Sequence, residues 1–427
     1  MNLDRSAAPT FYPIQGFRPI TPEKKEFSNG LKAFVFHGGD QDLVRIEWIF
    51  PNLMGAQEDT LLHSCLSPML LEGTNQKTNA EIADLVDFHG AYLVPEFHTD
   101  YTSLTLFSLT RHLPNLLPVI YELLTEASFP EKEWKTYIRN RKQRLEIALR
   151  KNDVLSRRTF NRQLFGQSRY GISPDPDDYD ALELSDLKNI FKRQIQPANC
   201  QIFIAGKLSA ETHALMEQYF AQNWTNHSEL ALDAVPTFPV NKGDTLLTTI
   251  PDSLQSAIRL GYRSIQRGHP DFPGLQFVNT LLGGYFGSRL MMNIREDKGY
   301  TYGIGSGIAV MKHASFFTIS TEVGVESTAS TLEEIEKEIA RLQVEPVSED
   351  EMELVRNYIL GSLLGSLENI FSHADKFKQT YFSGIELDYF DYYQEEILAM
   401  NTTKVKELAI RYLNYAKMEK IITGALP

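Results

Sequence analysis

Cysteine is nearly missing from this chain of 427 residues: Cys65 and Cys200 are the only two, and they form no CxxC. That excludes a disulfide framework and agrees with a reducing compartment, where both read as small buried hydrophobes. No apolar run reaches the roughly 18 residues a membrane-spanning helix needs. The opening stretch, MNLDRSAAPTFYPIQGF, has neither the apolar core of a secretory signal nor the Arg- and Ser-rich pattern of a transit peptide, so a cytoplasmic location is expected. Basic clusters are also missing. The net charge is −13, which would repel nucleic acid and anionic membrane, and neither is expected as a partner.

Hydrophobic residues make up 42% and charged residues 23%, the composition of a soluble globular protein. The length suits two domains of about 200 residues each. After a proline-dotted lead-in, FSNGLKAFVFH reads as a turn at Asn29-Gly30 and a strand, and DLVRIEWIFP as a second strand hairpinned to it. An apolar helix from Asp59 to Glu72 follows, then a second from Asn79 to His89, opened by Thr78 or Asn79 and closed by Gly90. GAYLVPEF and YTSLTLFSL read as strands. Helices are expected over 113–128, 131–151, 156–165 and 184–194, and CQIFIAG as a buried strand.

The second half repeats this order. SAIRLGYR stands for RIEWIFP, PGLQFVNTLLGG for the apolar helix, and FFTISTEVG for YTSLTLFSL, while KIITGALP mirrors QIFIAGKLS with Gly424 in the place of Gly206. The expected fold is therefore α+β: two homologous halves, each a mainly antiparallel sheet with helices on one face. The halves are expected at 1–221 and 245–427, with a polar, proline-interrupted linker at 222–244.

One stretch carries candidate chemistry: Gly283 to Tyr302, GGYFGSRLMMNIREDKGYTY. Arg295 and Tyr302 stand seven residues apart, with Gly299 between them to let the backbone turn. A planar fork of donors and a hydroxyl suit a carbonyl or carboxylate. From the residues alone, Arg295 capping a helix end and Tyr302 packing at a strand start remains open.

A duplicated α+β half with GGxxGSRL and RxxxGxxY (Arg295, Gly299, Tyr302) in the second copy resembles the M16 peptidases, which include the insulinase type and mitochondrial processing peptidase. The resemblance implies a zinc motif HxxEH in the first half, whose equivalent here is LLHSCLSPMLLEGT. Anchored on Met69, Gly73 and Thr74, the motif positions hold Ser64, Ser67 and Pro68, so no metal is expected in this chain. His63 is one residue off, a rotation of about 100°. The family's third ligand falls by spacing on Glu146, which reads instead as a solvated or helix-pairing residue with Arg150 four positions on. His89, His98 and Asp100 form a polar group without metal-ligand spacing.

The resemblance further implies that Arg295 and Tyr302 bind the substrate backbone beside the scissile bond. A zinc-less first half with this pair retained is similar to one chain of the bacterial two-subunit M16 enzymes. The implied partner is a zinc-bearing M16 subunit in a heterodimer, the implied substrate a peptide, and no independent catalysis is expected. The alternative is a non-catalytic structural or peptide-binding M16-like protein, acting as a homodimer or a core-type subunit.

Overall fold

The structure, a computed structural model, describes residue 16 and residues 18–55 and 60–425. The lead-in through residue 15 and Asp59, the expected start of the first apolar helix, lie outside the described residues. The first half runs β1 (Glu23–Glu26), β2 (Lys32–His37), β3 (Leu43–Pro51), α1 (Thr60–Leu70), α2 (Asn79–Phe88), β4 (Tyr92–Phe97), β5 (Tyr101–Leu109), α3 (Leu113–Thr125), α4 (Glu131–Ala148), α5 (Asn152–Phe165), α6 (Leu184–Gln194), β6 (Gln201–Gly206) and α7 (Ala210–Met216). The second runs β7 (Thr245–Thr249), β8 (Gln255–Arg263), α8 (Phe272–Asn279), β9 (Thr301–Val310), β10 (Ser315–Gly324), α9 (Thr328–Val344), α10 (Glu349–Gly365), α11 (Ile370–Phe382), α12 (Tyr389–Leu398), α13 (Thr402–Tyr412) and β11 (Glu419–Gly424).

The first sheet has the order β1-β2-β6-β3-β5-β4 and the second β7-β11-β8-β10-β9. Apart from β1 they correspond strand for strand. In both, one parallel pair (β2 with β6, β7 with β11) adjoins an otherwise antiparallel ladder. The expected hairpin of β2 with β3 does not form, because β6 lies between them. A strand returning from about 160 residues later claims that edge, a long-range pairing that local turn chemistry cannot report. The Asn29-Gly30 turn joins β1 to β2 instead. Gly206 and Gly424 end equivalent strands at φ +130° and +156°, and a Cβ on either would strike a neighbouring strand's carbonyl oxygen.

Local signals set many of the helix ends. Thr78 caps α2 in a capping box with Glu81, and Gly90 at φ +59° follows it. Pro68 lies inside α1, which nonetheless stays helical to Leu70 because its apolar face packs into the core. No helix among the described residues is long and apolar enough to cross a membrane.

Each sheet carries its own helices on one face and a helix of the other half on the opposite face. Strand residues alternate between faces. Thus Val35, Val44, Ile46 and Trp48 join the first half's own core, while Phe34, Phe36, Ile49 and Phe203 pack with Ile370, Ala374 and Phe377 of α11. Reciprocally, Phe160, Leu164 and Phe165 of α5 pack with Ala314 and Ile421 of the second half, and α5 lies along β8 and β11. Gly261 admits the Phe160 ring, which a Cβ would meet at 2.9 Å. Burying a large apolar side chain stabilises by about 1.5–3 kcal/mol, so each exchanged helix contributes several such terms to holding the halves together.

Charges complete the exchange. Arg45 of β3 grips Asp375 of α11 through two hydrogen bonds, at 3.1 and 2.8 Å, and Lys378 reaches Glu47. The stretch between the halves is tied at its end, where buried Glu419 accepts backbone hydrogen bonds from Lys242, Gly243 and Asp244, at 2.6, 3.2 and 3.0 Å. Asp233 forms the tightest joint. It pairs with Arg169 of the first half at 2.7 Å and with Lys312 and His313, between β9 and β10, at 2.5 and 3.0 Å. Burial alone would raise the Asp233 pKa, but the hydrogen bonds from Lys312, His313 and Arg169 outweigh it and hold the carboxyl down at about 2.

A group whose folded pKa lies below its unfolded value of 3.8 contributes stability above that value and loses it as pH falls toward about 2. Replacing Asp233 by Asn should therefore destabilise the chain by about 3 kcal/mol at pH 7. In denaturant titrations the gap between variant and native chain should narrow below pH 4; a gap that stays constant from pH 7 to pH 2 would contradict this role for Asp233.

Candidate functional site

Helix α1 brings the three zinc-motif positions to one side but gives them nothing with which to hold a metal. The Ser64 hydroxyl donates to the Leu61 carbonyl at 2.6 Å, a bond within its own helix. Ser67 is fully buried and its hydroxyl has no hydrogen-bond partner, and Pro68 has no ligand atom in its side chain. Zinc sites take thiolate, imidazole or carboxylate donors, so this set does not fit the ion.

His63 is turned into the core, where its Nδ1 lies 3.0 Å from Gln194 Oε1. The Gln194 amide in turn donates to Thr102 Oγ1 at 3.2 Å and to Asn52, which also accepts from Thr102 at 2.9 Å. These buried polar groups satisfy one another and tie α1, α6 and β5 together. Glu146 is exposed on α4 and makes no ion pair with Arg150 among the described residues. The polar residues around β4 and β5 do not converge either. His89 packs on His112, His98 on Tyr101, and Asp100 accepts from Tyr170 at 2.6 Å. Among the described residues no group of three or more His, Cys, Asp or Glu side chains is placed to hold a metal.

The second half brings Arg295 and Tyr302 together. Two π-helical turns, Thr280–Gly284 and Met291–Asp297, precede β9, the edge strand of its sheet. Such turns widen the helix and recur at functional sites. Arg289 fixes the second of them to α10 through a two-pronged pair with Glu351, at 2.9 and 2.8 Å. Gly283 lets the first approach β9 closely, since a Cβ there would lie 2.7 Å from Ser306 Oγ. Gly299, at φ +67°, turns the chain between them.

The Arg295 guanidinium carbon sits 4.5 Å from the Phe286 ring centre and 5.7 Å from that of Tyr302. The two rings restrain the cation without using its hydrogen-bond donors. Its Nη1 is 3.3 Å from Glu296 Oε1 but without hydrogen-bond geometry, and that buried nitrogen has no hydrogen-bond partner. Phe286 is 65% exposed and Tyr302 94%, a large outlay of aromatic surface to water at one point of the fold. Arg295 thus does not spend itself as a helix cap. Phe286 is the residue that sequence reasoning passed over. Its signal is a large aromatic placed between glycines, where a turn needs none.

Comparison with known proteins bears on the fold. Residues 181–359 match the family described as "Peptidase M16 inactive domain". A Bacillus subtilis protein named "Uncharacterized zinc protease YmxG" is 25% identical over 309 residues, covering 71% of this chain and 74% of that one. Helicobacter pylori has a relative named "Non-peptidase homolog YmxG", 20% identical over 354 residues and covering 81% and 80%. A crystal structure of a peptidase M16 inactive domain from Pseudomonas fluorescens superimposes with a TM-score of 0.85 at 21% identity, covering 96% of this chain and 99% of that chain. The chain has the duplicated M16 fold. Its relatives within that class carry names of both zinc proteases and a non-peptidase homolog.

The reading of His63 is open to direct test. Dialysis against micromolar zinc followed by metal analysis should leave the native chain far below one equivalent. His63→Ala should destabilise by about 1–3 kcal/mol by stranding the buried Gln194 amide. Stoichiometric zinc lost in His63→Ala would contradict a structural role.

Proposed function

We propose that this chain is the zinc-less, substrate-holding subunit of a heterodimeric M16 zinc peptidase, working in the cytoplasm with halves 1–221 and 245–427 joined by 222–244. The observation that carries the reading is the Arg295 guanidinium, restrained between Phe286 and Tyr302 with an unused buried donor, on a chain whose zinc positions hold Ser64, Ser67 and Pro68.

Peptide hydrolysis by this family's chemistry requires a metal-bound water, and a zinc-bearing M16 partner supplies it. This chain's residues act on the substrate. Arg295 presents a fixed positive charge and paired N–H donors to backbone carbonyl oxygens beside the scissile bond. Tyr302, on the free edge of β9, adds a hydroxyl that can donate to the same strand of substrate. As negative charge grows on the attacked carbonyl, donors that are already oriented stabilise it without reorganising. The overlying rings exclude water from one side of the guanidinium and strengthen that interaction.

A second reading is a non-catalytic peptide-binding or structural protein acting as a homodimer, and the name of the Helicobacter relative favours it. It differs in its requirement for a partner: the isolated chain would bind peptide tightly and gain nothing from an HxxEH-bearing chain.

With the partner present, Arg295→Ala should lower kcat on a quenched peptide roughly 100- to 1000-fold, and Tyr302→Phe by a smaller factor. The assay is reconstitution with and without chelator. Variants that retain the native rate would overturn the assigned roles.

A further inference from the structure

A cleft of about 340 Å³ lies in the second half, walled by α8, β9, α10, α11 and α12, away from the Arg295 cluster. Two cations line it, Arg267 from the loop after β8 and Lys376 from α11, and no aspartate or glutamate does. Neither makes a hydrogen bond or ion pair among the described residues, and Arg267 only lies over the Phe272 ring at 5.6 Å. The neighbouring Asp375 is turned away to Arg45 and Lys378. Among the described residues the buried Nε of Arg267, the Tyr389 hydroxyl and Asn279 Oδ1 all lack hydrogen-bond partners.

In a chain with 55 acidic residues, two adjacent cations left without a carboxylate are conspicuous. Partial burial makes this expensive, because desolvation is repaid only by an opposite charge. Burial lowers the pKa of both groups, and the positive field of Arg267 lowers that of Lys376 further, with Asp375 opposing it. Apolar and aromatic side chains, among them Leu363, Ile359, Phe390 and Tyr393, share the rest of the wall with polar ones such as Gln276 and Gln379. The volume and this mixture match a small-molecule site.

We infer that this cleft binds a small organic carboxylate, its anionic head between Arg267 and Lys376, its apolar body against Leu363 and Phe390, and a hydrogen-bond donor of its own on Asn279. The Tyr389 hydroxyl supplies one more donor to the carboxylate. A planar guanidinium favours a carboxylate held through two parallel bonds. A free organic acid and the C-terminal carboxylate of a short peptide present the same head group, and the size of the cleft admits either.

The test is calorimetric titration of the full chain with 3-phenylpropionate and its amide, and with the dipeptide Ala-Phe and its C-terminal amide. Each acid that binds should exceed its amide at least tenfold. Arg267→Gln and Lys376→Gln should each weaken acid binding at least tenfold while circular dichroism stays native. Binding of 3-phenylpropionate alone identifies a free acid as the ligand type, and binding of Ala-Phe alone a peptide terminus; either supports the site. Equal affinity for acids and amides, no binding of either acid at millimolar concentration, or unchanged affinity in both folded variants would overturn it. None of these results depends on a peptidase partner or on Arg295.

Discussion

Everything in this molecule hangs on the exchange of α5 and α11 between the halves. A sheet with helices on one face leaves the other face to water, and here each half covers the other's exposed face. The aromatic side chains of Phe34, Phe203 and Phe377 stack within 5.0–6.1 Å of one another across the boundary, so neither half has a complete core without its neighbour. The ion pairs of Arg45 with Asp375 and of Asp233 with Arg169, Lys312 and His313 then fix the angle between them. A buried charge cluster adds specificity more than net energy, because its desolvation offsets much of the attraction.

Arg295, whose side chain is 25% exposed, sits on an equally tied base. The edge strand β9 is braced by β10, the preceding π turn by Arg289 and Glu351, and Asn293 by Glu334 and Glu338 of α9. Upon this base the Phe286 and Tyr302 rings lie 4.5 and 5.7 Å from a guanidinium whose buried Nη1 has no hydrogen-bond partner among the described residues. The first half spent its equivalent helix differently. With Ser64, Ser67 and Pro68 in α1, the polar interior is a hydrogen-bonded chain of His63, Gln194, Asn52 and Thr102 that packs and holds but has no ligand set. The interior of the first half thus holds polar groups without a metal-ligand set, while the second half brings Arg295, Phe286 and Tyr302 together near an edge strand.

Much of this was legible before any coordinates. The repeat announced two like halves, Thr78 and Glu81 marked the start of α2, and the spacing of Arg295, Gly299 and Tyr302 marked the convergent pair. Three features were not. The insertion of β6 between β2 and β3 depends on residues far apart in sequence, and the Asn29-Gly30 turn belongs to the short β1, whose four exposed residues carry no hydrophobic pattern. The crossing of α5 and α11 was invisible because an amphipathic helix records that it has a buried face, without recording whose sheet it lies against. Arg267 and Lys376 stood more than 100 residues apart, with nothing local to link them.

The most direct measurement of the central claim is affinity isolation of this chain from its native cells, with mass spectrometric identification of what accompanies it and assay of the eluate on a quenched peptide with and without chelator. The account predicts a stoichiometric HxxEH-bearing M16 chain and cleavage that the chelator abolishes. A homodimer that carries no such chain and cleaves nothing would contradict it.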